Sequence, residues 1–245
     1  MRIVAVSDIH GHFKELTTAL EEAEFVPNDN EHLLVVCGDC FDRGHENMKV
    51  FRFLNELENK IIVRGNHEDL LQEVLMGRKL DDADFHNGTD MTMYEFVQKD
   101  NGDFMNGDEV AEARENLYLP FLDSTVNYFE TKNYIFVHGW LPYDYDEKGK
   151  PVLVDYKTAD EDQWYEARWT SWDVAIYNNL LYKGNKKVVC GHLATQEAYE
   201  YDKSRQPEDS SVYYGDNFIA IDAHVMPSGR INFLVIYDEL TDSDD

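Results

Sequence analysis

The chain is poor in positive charge and in cysteine. Lysine and arginine together number 22 against 49 aspartates and glutamates, which gives a formal net charge of −27. A surface with this charge repels duplex nucleic acid and anionic membranes at long range, so neither is expected as a partner. The three cysteines, Cys37, Cys40 and Cys190, are an odd number and too few for a disulfide scaffold. Because the net charge is strongly negative, binding of an anionic substrate would need positive charge concentrated at the site.

Long hydrophobic runs are also missing. The first apolar run, residues 3–6, is shorter than the ~7–15 residues of a signal-peptide core, and no run approaches the ~18 apolar residues of a membrane span. These features predict a soluble cytoplasmic protein. With 245 residues, 43% of them hydrophobic, the chain is long enough to bury a large core.

Apolar runs alternate with helical patterns in the first third of the chain. The order strand, helix, strand, helix, strand predicts parallel strands joined by helical crossovers. Later apolar runs predict further strands, so the chain is expected to be an α/β protein. The predicted strands are 3–6, 33–37, 61–63, 134–137, 188–190, 218–221 and 231–237, and the helical patterns are 13–25, 48–57, 70–75 and part of 164–182.

Residues of about 80–132 interrupt this pattern. The segment is polar, and 110–117 is its one helical candidate. We interpret 1–237 as one domain with a cap region inserted at about 80–132, followed by an acidic, frayed tail at 238–245. The turn signals of the cap region are Asn87-Gly88, Asn101-Gly102 and Asn106-Gly107.

Polar side chains follow five of the predicted strands directly. In open α/β sheets, ligands bind beyond the carboxyl ends of the strands, so these side chains are expected at one rim. Asp8 and His10 are two residues apart, and an extended backbone would point both the same way. Carboxylate, imidazole and amide oxygen suit Mn²⁺, Fe or Zn²⁺ better than Ca²⁺. We infer one metal held by Asp8, His10 and Asp39, and a second held by Asp39, Asn66, His138 and His192.

Two longer motifs make this pattern specific. Residues 38–44 place two carboxylates and an arginine between glycines, and residues 65–68 read Gly-Asn-His-Glu. Together with Asp-Ile-His-Gly at 8–11, His138 and Gly-His at 191–192, they resemble the calcineurin-like metallophosphoesterase superfamily. Within it, the chain is similar to bacterial and phage serine/threonine phosphatases and to diadenosine tetraphosphatases.

The resemblance implies a sandwich of two mixed β-sheets flanked by helices. It also implies two divalent metal ions, usually Mn²⁺, with Fe or Zn²⁺ as alternatives. The implied activity is hydrolysis of phosphate monoesters, with a phosphorylated protein or a small phosphate ester as substrate, by in-line attack of a metal-bridging hydroxide.

Residue roles follow from the same resemblance, by motif position. The six residues named above match metal ligands, and Asn66 also adjoins the substrate. His67 matches the general acid, Asp42 matches the carboxylate that orients it, and Arg43 matches a phosphate-binding arginine. Arg168, the one arginine in the aromatic stretch before His192, takes the place of a second phosphate-binding arginine.

The chain departs from the family pattern on the substrate side. Thr89 replaces a glycine of the family's Asn-Gly-Gly segment, the flanks of Arg168 differ, and Leu193 follows His192 where the family has a small residue and proline. Substrate preference therefore stays open. The alternatives to a protein phosphatase are a hydrolase of dinucleoside polyphosphates such as diadenosine tetraphosphate, and another phosphodiesterase.

Three further interpretations remain. Cys37, Cys40 and Cys190 with His192 could form a Cys₃His zinc site, although buried packing is the ordinary role of such cysteines. The aromatic residues of 164–182 are expected in the core or a groove wall more than as a platform for nucleobases. The chain could also be a binding scaffold of the same fold that lacks activity.

Overall fold

The computed structural model describes residues 1–100 and 103–241. The strands are β1 (Arg2–Val6), β2 (His32–Cys37), β3 (Lys60–Val63), β4 (Phe129–Glu130), β5 (Tyr134–Phe136), β6 (Tyr143–Tyr145), β7 (Pro151–Leu153), β8 (Lys187–Cys190), β9 (Tyr213–Tyr214), β10 (Phe218–Ala220) and β11 (Leu234–Tyr237). The α-helices are α1 (Phe13–Glu22), α2 (Asn47–Glu56), α3 (Asn66–Leu75), α4 (Asp82–Asn87), α5 (Thr89–Phe96), α6 (Gly107–Ala113), α7 (Leu119–Asp123), α8 (Glu161–Trp169), α9 (Trp172–Tyr177) and α10 (Val225–Ser228). A π-helical segment, Arg114–Tyr118, joins α6 to α7, and a 3₁₀ segment covers Thr195–Glu200.

Two mixed sheets form the centre of the described structure. The first has strand order β11-β1-β2-β3, in which only the pairing of β11 with β1 is antiparallel. The second has strand order β4-β5-β8-β10-β9, with parallel pairing of β5, β8 and β10 and antiparallel edge strands. The implied sandwich of two mixed sheets flanked by helices is confirmed. A separate hairpin pairs β6 with β7.

Alternating residues of the central strands face two different cores, because side chains of a strand point to opposite faces. Val4 and Val36 pack under the helices outside the first sheet. Ile3 and Val35 point the other way, into a core shared with Val189 and other residues of the second sheet. Burial on both faces explains why these strands read as continuous apolar runs.

The segment predicted as a polar cap region is largely helical. Residues 110–117 are helical as predicted, within α6 and the π-helical segment that follows it, whereas α4, α5 and α7 were not predicted. The Asn-Gly pairs mark helix ends there. Gly88, at φ 76°, lies between α4 and α5, and Asn106 caps α6 by accepting hydrogen bonds from two backbone N–H groups. The pair Asn101-Gly102 lies outside the described residues. Phe96 and Phe121 join the core of the first sheet, and the division into one domain with an inserted cap stays a prediction.

The predicted frayed tail is held in place over its first residues. Asp238 accepts a hydrogen bond from Thr131 Oγ1 (2.7 Å), and Leu240 forms an isolated β-bridge with Thr131. The remainder, 242–245, lies outside the described residues. Among the helices of 1–100 and 103–241, none has the length and hydropathy of a membrane span.

Candidate metal centre and active site

All six predicted metal ligands come together where strands of the two sheets end. Three follow β1 and β2, one opens α3 after β3, and two follow β5 and β8. Five of them are buried, and His192 is partly exposed. They are Asp8, His10, Asp39, Asn66, His138 and His192.

Asp39 lies at the middle of the cluster. One carboxylate oxygen is 3.4 Å from His138 Nε2, and the other is 3.6 Å from His10 Nε2. His10 Nε2 is also 3.9 Å from Asp8 Oδ1. Two groups satisfy the geometry of a metal-binding site among the described residues: Asp39 with His138 and His192, and Asp39 with His10 and His67. Asp8 belongs to neither group. The two oxygens of Asp39 thus face two different ligand sets, as a bridging carboxylate requires.

Backbone carbonyls fix which nitrogen of each imidazole faces the cluster. His10 Nδ1 donates to the carbonyl of Phe41 and His138 Nδ1 to that of Cys37, both at 2.9 Å. Each Nε2 therefore carries a lone pair directed inward. His138 Nε2 also lies 2.8 Å from Asn66 Oδ1. Since the proton of His138 is on Nδ1, both of these atoms are acceptors, and they point toward the same space. Ligands of one cation converge in this way, and the residues fit a divalent metal.

The electrostatics of the cluster also fit bound cations. Burial raises the pKa of Asp8, and the charges of Asp222 and Asp39 raise it further. Burial lowers the pKa of His10, and it lowers that of His192 to about 4. For Asp39, burial is outweighed by the surrounding histidines, and its pKa is held low. Carboxylates crowded beside neutral imidazoles are the environment that a divalent ion stabilises.

The backbone around the cluster is in the left-handed region at several non-glycine residues, which is unfavourable for an L-residue and concentrated at functional sites. Asp8 and His10 have φ of 53° and 48°, so they reach the cluster from turns, and the expected extended backbone is wrong at this point. The other site residues with positive φ are Asp39, Asp42, Arg43 and His192.

Glu68 fastens the loop after β2 to the start of α3. Its carboxylate accepts hydrogen bonds from the backbone N–H groups of Asp39 (3.0 Å), Cys40 (2.8 Å) and Gly65 (2.8 Å). The sequence placed Glu68 in a motif but predicted no role for it. A side chain at Gly65 would collide with Asp39, so this close approach requires glycine.

His67 and Asp42 form a hydrogen-bonded pair beside the cluster. His67 Nδ1 is 2.8 Å from Asp42 Oδ2, and His67 Nε2 is 3.3 Å from a guanidinium nitrogen of Arg43. Burial lowers the pKa of His67, but the charge of Asp39 and the hydrogen bond to Asp42 outweigh it, and the net shift is upward. The structure thus brings the three residues predicted as catalytic together at the edge of the ligand cluster.

Two threonines hold Asp42 from behind. Thr89 Oγ1 donates to Asp42 Oδ2 (2.8 Å), and Thr92 Oγ1 donates to Asp42 Oδ1 (2.7 Å). Thr89 is the residue that replaces a glycine of the family pattern. This replacement was the only feature of the sequence that could have indicated its contact with Asp42. The backbone N–H of Asp42 also donates to Asn47 Oδ1 (3.0 Å), a contact that no sequence signal indicated.

Asp222 is another buried carboxylate beside the cluster that the sequence reasoning missed. It follows β10, the strand next to the one that carries His192, so its position after a strand was the available signal. Burial raises its pKa to about 6. Its charge adds to the negative potential at Asp8.

Arg168 lies in a different setting from the one predicted. It is only 2% exposed, and its Nε and both terminal nitrogens bond to Asp69, Asn127 and Glu161 at 2.6–2.8 Å. In this arrangement the guanidinium is occupied by protein groups. Substrate binding by Arg168 stays a prediction that these contacts do not favour.

The cysteines and most tryptophans pack in the core. Cys37, Cys40 and Cys190 belong to three different hydrophobic clusters, and no metal-compatible group of the described residues contains a cysteine, so the zinc interpretation is wrong. Trp164 and Trp172 are buried, as expected of core residues.

Trp169 is the exception among these aromatic residues. It is 42% exposed, and its ring lies edge-on to His192 at 6.4 Å between centroids. It therefore forms part of the wall beside the ligand cluster.

Comparison with known proteins agrees with this architecture. Residues 1–226 match the calcineurin-like phosphoesterases, and the chain belongs to this family of dimetal enzymes that act on phosphate esters. It is 32% identical over 156 residues to serine/threonine-protein phosphatase 2 of Salmonella typhimurium, covering 62% of this chain and 65% of that protein.

A second named activity occurs among the relatives. The chain is 40% identical over 80 residues to the symmetrical bis(5'-nucleosyl)-tetraphosphatase of Buchnera aphidicola, a match that spans 32% of this chain and 29% of that enzyme. A solved structure assigned as a diadenosine tetraphosphatase superposes with a TM-score of 0.52 at 16% identity, over 96% of this chain and 94% of that one. The structural match shows the shared fold.

Proposed function

We propose that the protein hydrolyses phosphate monoesters and that its substrates are proteins phosphorylated on serine or threonine. Two divalent ions, Mn²⁺ before Fe or Zn²⁺, would be held by the two predicted ligand sets with Asp39 shared between them. When bound, such a pair supplies Lewis-acid charge to the phosphoryl group and lowers the pKa of water. The backbone N–H of Asp39 donates a hydrogen bond to Glu68, which fixes the position of Asp39. Asp39 would thereby keep the two ligand sets at a fixed distance from each other.

Arg43 supplies the local positive charge that an acidic protein needs for an anionic substrate. Its guanidinium lies next to His67 and is partly exposed, whereas the ligand residues beneath are mostly buried. A guanidinium can bind two phosphoryl oxygens at once and offset their charge in the transition state. We assign Arg43 to that role.

The hydrogen bond between His67 and Asp42 is the observation that supports phosphorylated serine or threonine, rather than a dinucleoside polyphosphate, as the substrate. A serine or threonine alkoxide is a poor leaving group and needs a proton as the bond to phosphorus breaks. Asp42 holds Nδ1 of His67, which leaves Nε2 to donate that proton. A nucleotide leaving group is already a stable anion and gains less from an acid. The pair therefore favours phosphomonoesters of alcohols.

One observation favours the second candidate, a hydrolase of dinucleoside polyphosphates. The exposed ring of Trp169 beside His192 offers a face on which a nucleobase could stack. Some relatives carry the corresponding name, although the match covers less than a third of them.

A substrate panel tests the proposal. Metal-stripped protein, reloaded with Mn²⁺, is assayed on a phosphoserine peptide, on diadenosine tetraphosphate and on an artificial phosphodiester. We expect the peptide to have the highest kcat/KM and chelation to abolish activity. Asp39→Asn should lose most activity and bind metal weakly, whereas Asp144→Asn, on the exposed hairpin, should retain both. Preference for diadenosine tetraphosphate would establish the second candidate, and full activity after exhaustive chelation would refute both.

A further inference from the structure

The two ligand sets differ in how they are assembled. Asp8, His10 and Asp39 all follow strands of the first sheet. The second set combines Asp39 and Asn66 from that side with His138 and His192, which follow β5 and β8 of the second sheet. Only the second set therefore takes its ligand side chains from both sheets.

A buried ion pair joins the two sides near this set. Arg168, at the end of α8, bonds through Nε to Asp69 Oδ2 at 2.6 Å. Asp69 lies in the first turn of α3, three residues after Asn66, and its other oxygen accepts from Arg64 Nε at 2.6 Å. Both members of the ion pair are almost fully buried.

The end of α8 is attached to the loops that carry the second sheet's ligands. The backbone N–H of Trp140, two residues after His138, donates to the carbonyl of Ala167 at 2.9 Å. A Cβ at Gly139 would collide with the carbonyls of this same turn, so the two segments are in close contact. Trp169 in turn contacts the ring of His192. Arg168 thus connects a turn that touches His138 and His192 to the helix that begins with Asn66.

We propose that Arg168 is a positioning residue that fixes the distance between the two halves of the second ligand set and does not bind the substrate phosphate. Its remaining guanidinium nitrogens bond to Asn127 and Glu161, so the side chain spans the two sides with every nitrogen engaged. The inference rests on the proposed function, because it assigns Arg168 a part in holding the second metal.

The test is calorimetric titration of metal-free protein with Mn²⁺, with the paramagnetic resonance signal of the bound ions as a second readout. Residues that hold ligands in place typically change metal affinity by about 10–100-fold, so Arg168→Gln should weaken the second ion by at least about tenfold. The first ion should bind as in the wild type. The resonance signal of coupled ions should give way to that of a single ion at Mn²⁺ concentrations that saturate the wild type.

Two control variants separate this role from general damage. Arg64→Gln removes the other partner of Asp69, but Arg64 lies on the same side as Asn66, so both ions should be retained. Arg78→Gln breaks an ion-pair group around Asp84 away from the cluster and should change neither ion. Arg168→Lys should restore part of the affinity that Arg168→Gln loses. Equal losses in Arg64→Gln and Arg168→Gln would overturn the cross-sheet role.

Folding and phosphate binding are checked separately. If Arg168→Gln does not give a cooperative melting transition, Glu161→Gln serves instead, since it loosens the guanidinium from its exposed partner. Inhibition by inorganic phosphate at saturating Mn²⁺ should be unchanged in either variant. Weaker phosphate inhibition with both ions retained would overturn the inference and restore Arg168 as a phosphate ligand. Fewer than two ions in the wild type would refute the proposed function itself.

Discussion

The neighbours of Asp42 fix the orientation of its carboxylate and, through it, that of His67. Its two oxygens accept hydrogen bonds from Thr89, Thr92 and His67, and its backbone N–H donates to Asn47. A carboxylate with this many partners cannot rotate freely, so the imidazole it holds keeps one orientation. The positioning of His67 thus depends on Thr89 and Thr92, which lie 47 and 50 positions after Asp42 along the chain.

Replacement of His67 by asparagine tests this arrangement. We expect His67→Asn to retain both metals and to lose about 10²–10⁴-fold in kcat on a phosphoserine peptide, the usual contribution of a general acid. The loss should be smaller on p-nitrophenyl phosphate, because that leaving group needs no proton. The measurement is kcat for both substrates at known metal content.

Asp42→Asn and the double variant provide the control. Residues that act as a unit give non-additive losses, so the double variant should be little worse than His67→Asn. Equal losses on the two substrates, or strictly additive effects, would remove His67 from the acid role.

At the scale of the elements, the sequence predicted the central strands of the two sheets because they are largely buried and read as continuous apolar runs. The positions after the strands followed from that, and with them the six ligand residues. The sequence could not predict the left-handed conformations of Asp8 and His10, since these depend on contacts between loops. It missed β4, β6, β7 and β9, which are two or three residues long and partly or fully exposed. It also missed the helices α4 and α5, because they are short and a glycine links them.

Arg168 shows why a motif position alone did not indicate its contacts. Its partner Asp69 lies 99 residues earlier, and nothing local to either residue signals the ion pair. Burial of a guanidinium requires paired acceptors, and the carboxylate of Asp69 reaches Arg168 only through the packing of α8 on α3. Long-range ion pairs of this kind are decided by tertiary structure.

The edge strand β4 provides a prediction of pH dependence. Glu130 bonds to Lys157 (2.6 Å), Lys186 (2.7 Å) and the hydroxyl of Tyr156 (2.8 Å), and its side chain is 14% exposed. Burial alone would raise its pKa, but the hydrogen bonds to Lys157, Lys186 and Tyr156 outweigh it and hold the pKa at about 2.

Because the folded-state pKa lies below the unfolded value of ~4.3, this carboxylate stabilises the fold above that pH. The stabilisation is lost as the pH falls from ~4.3 through about 2. With allowance for solvent screening, we expect Glu130→Gln to cost about 1–2 kcal/mol near neutral pH and progressively less below pH ~4. Urea unfolding of metal-free protein between pH 3 and 7 measures the difference.

The control is Glu239→Gln. Glu239 pairs with Lys132 on the surface, where both side chains are largely exposed, so its removal should have little effect at any pH. A cost for Glu130→Gln that stays constant with pH would contradict the assignment.

For the whole molecule, the pattern of strands and helices predicted an α/β chain, whereas the division into two facing sheets came from the resemblance. Apolar runs predict where strands lie along the chain, but they do not predict which strands pair in the same sheet. The structure shows the reason, since Ile3 and Val35 of one sheet and Val189 of the other meet in a single core. The residues predicted as the second ligand set come together because this core brings the two rims together.

The net charge of −27 also acts on the molecule as a whole. Like charges repel across the compact state, and the repulsion is screened as the Debye length falls from ~30 Å at 0.01 M salt to ~8 Å at 0.15 M. Salt also weakens the surface ion pairs, but each of these is worth only about 0–1 kcal/mol. We expect the repulsion between the excess carboxylates to dominate.

The melting temperature of metal-free protein should therefore rise by several degrees as NaCl increases from 0.01 to 0.15 M, about 1–2 kcal/mol of added stability for a chain of this size. The rise should then level off, because screening is nearly complete once the Debye length is shorter than the spacing of surface charges. Calorimetric melting in NaCl and in KCl at matched ionic strength measures it, and sucrose at matched osmolality controls for solvent exclusion. A melting temperature that falls steadily with salt would mean that the ion pairs around residues such as Glu130 and Asp84, rather than the net charge, govern the stability of the molecule.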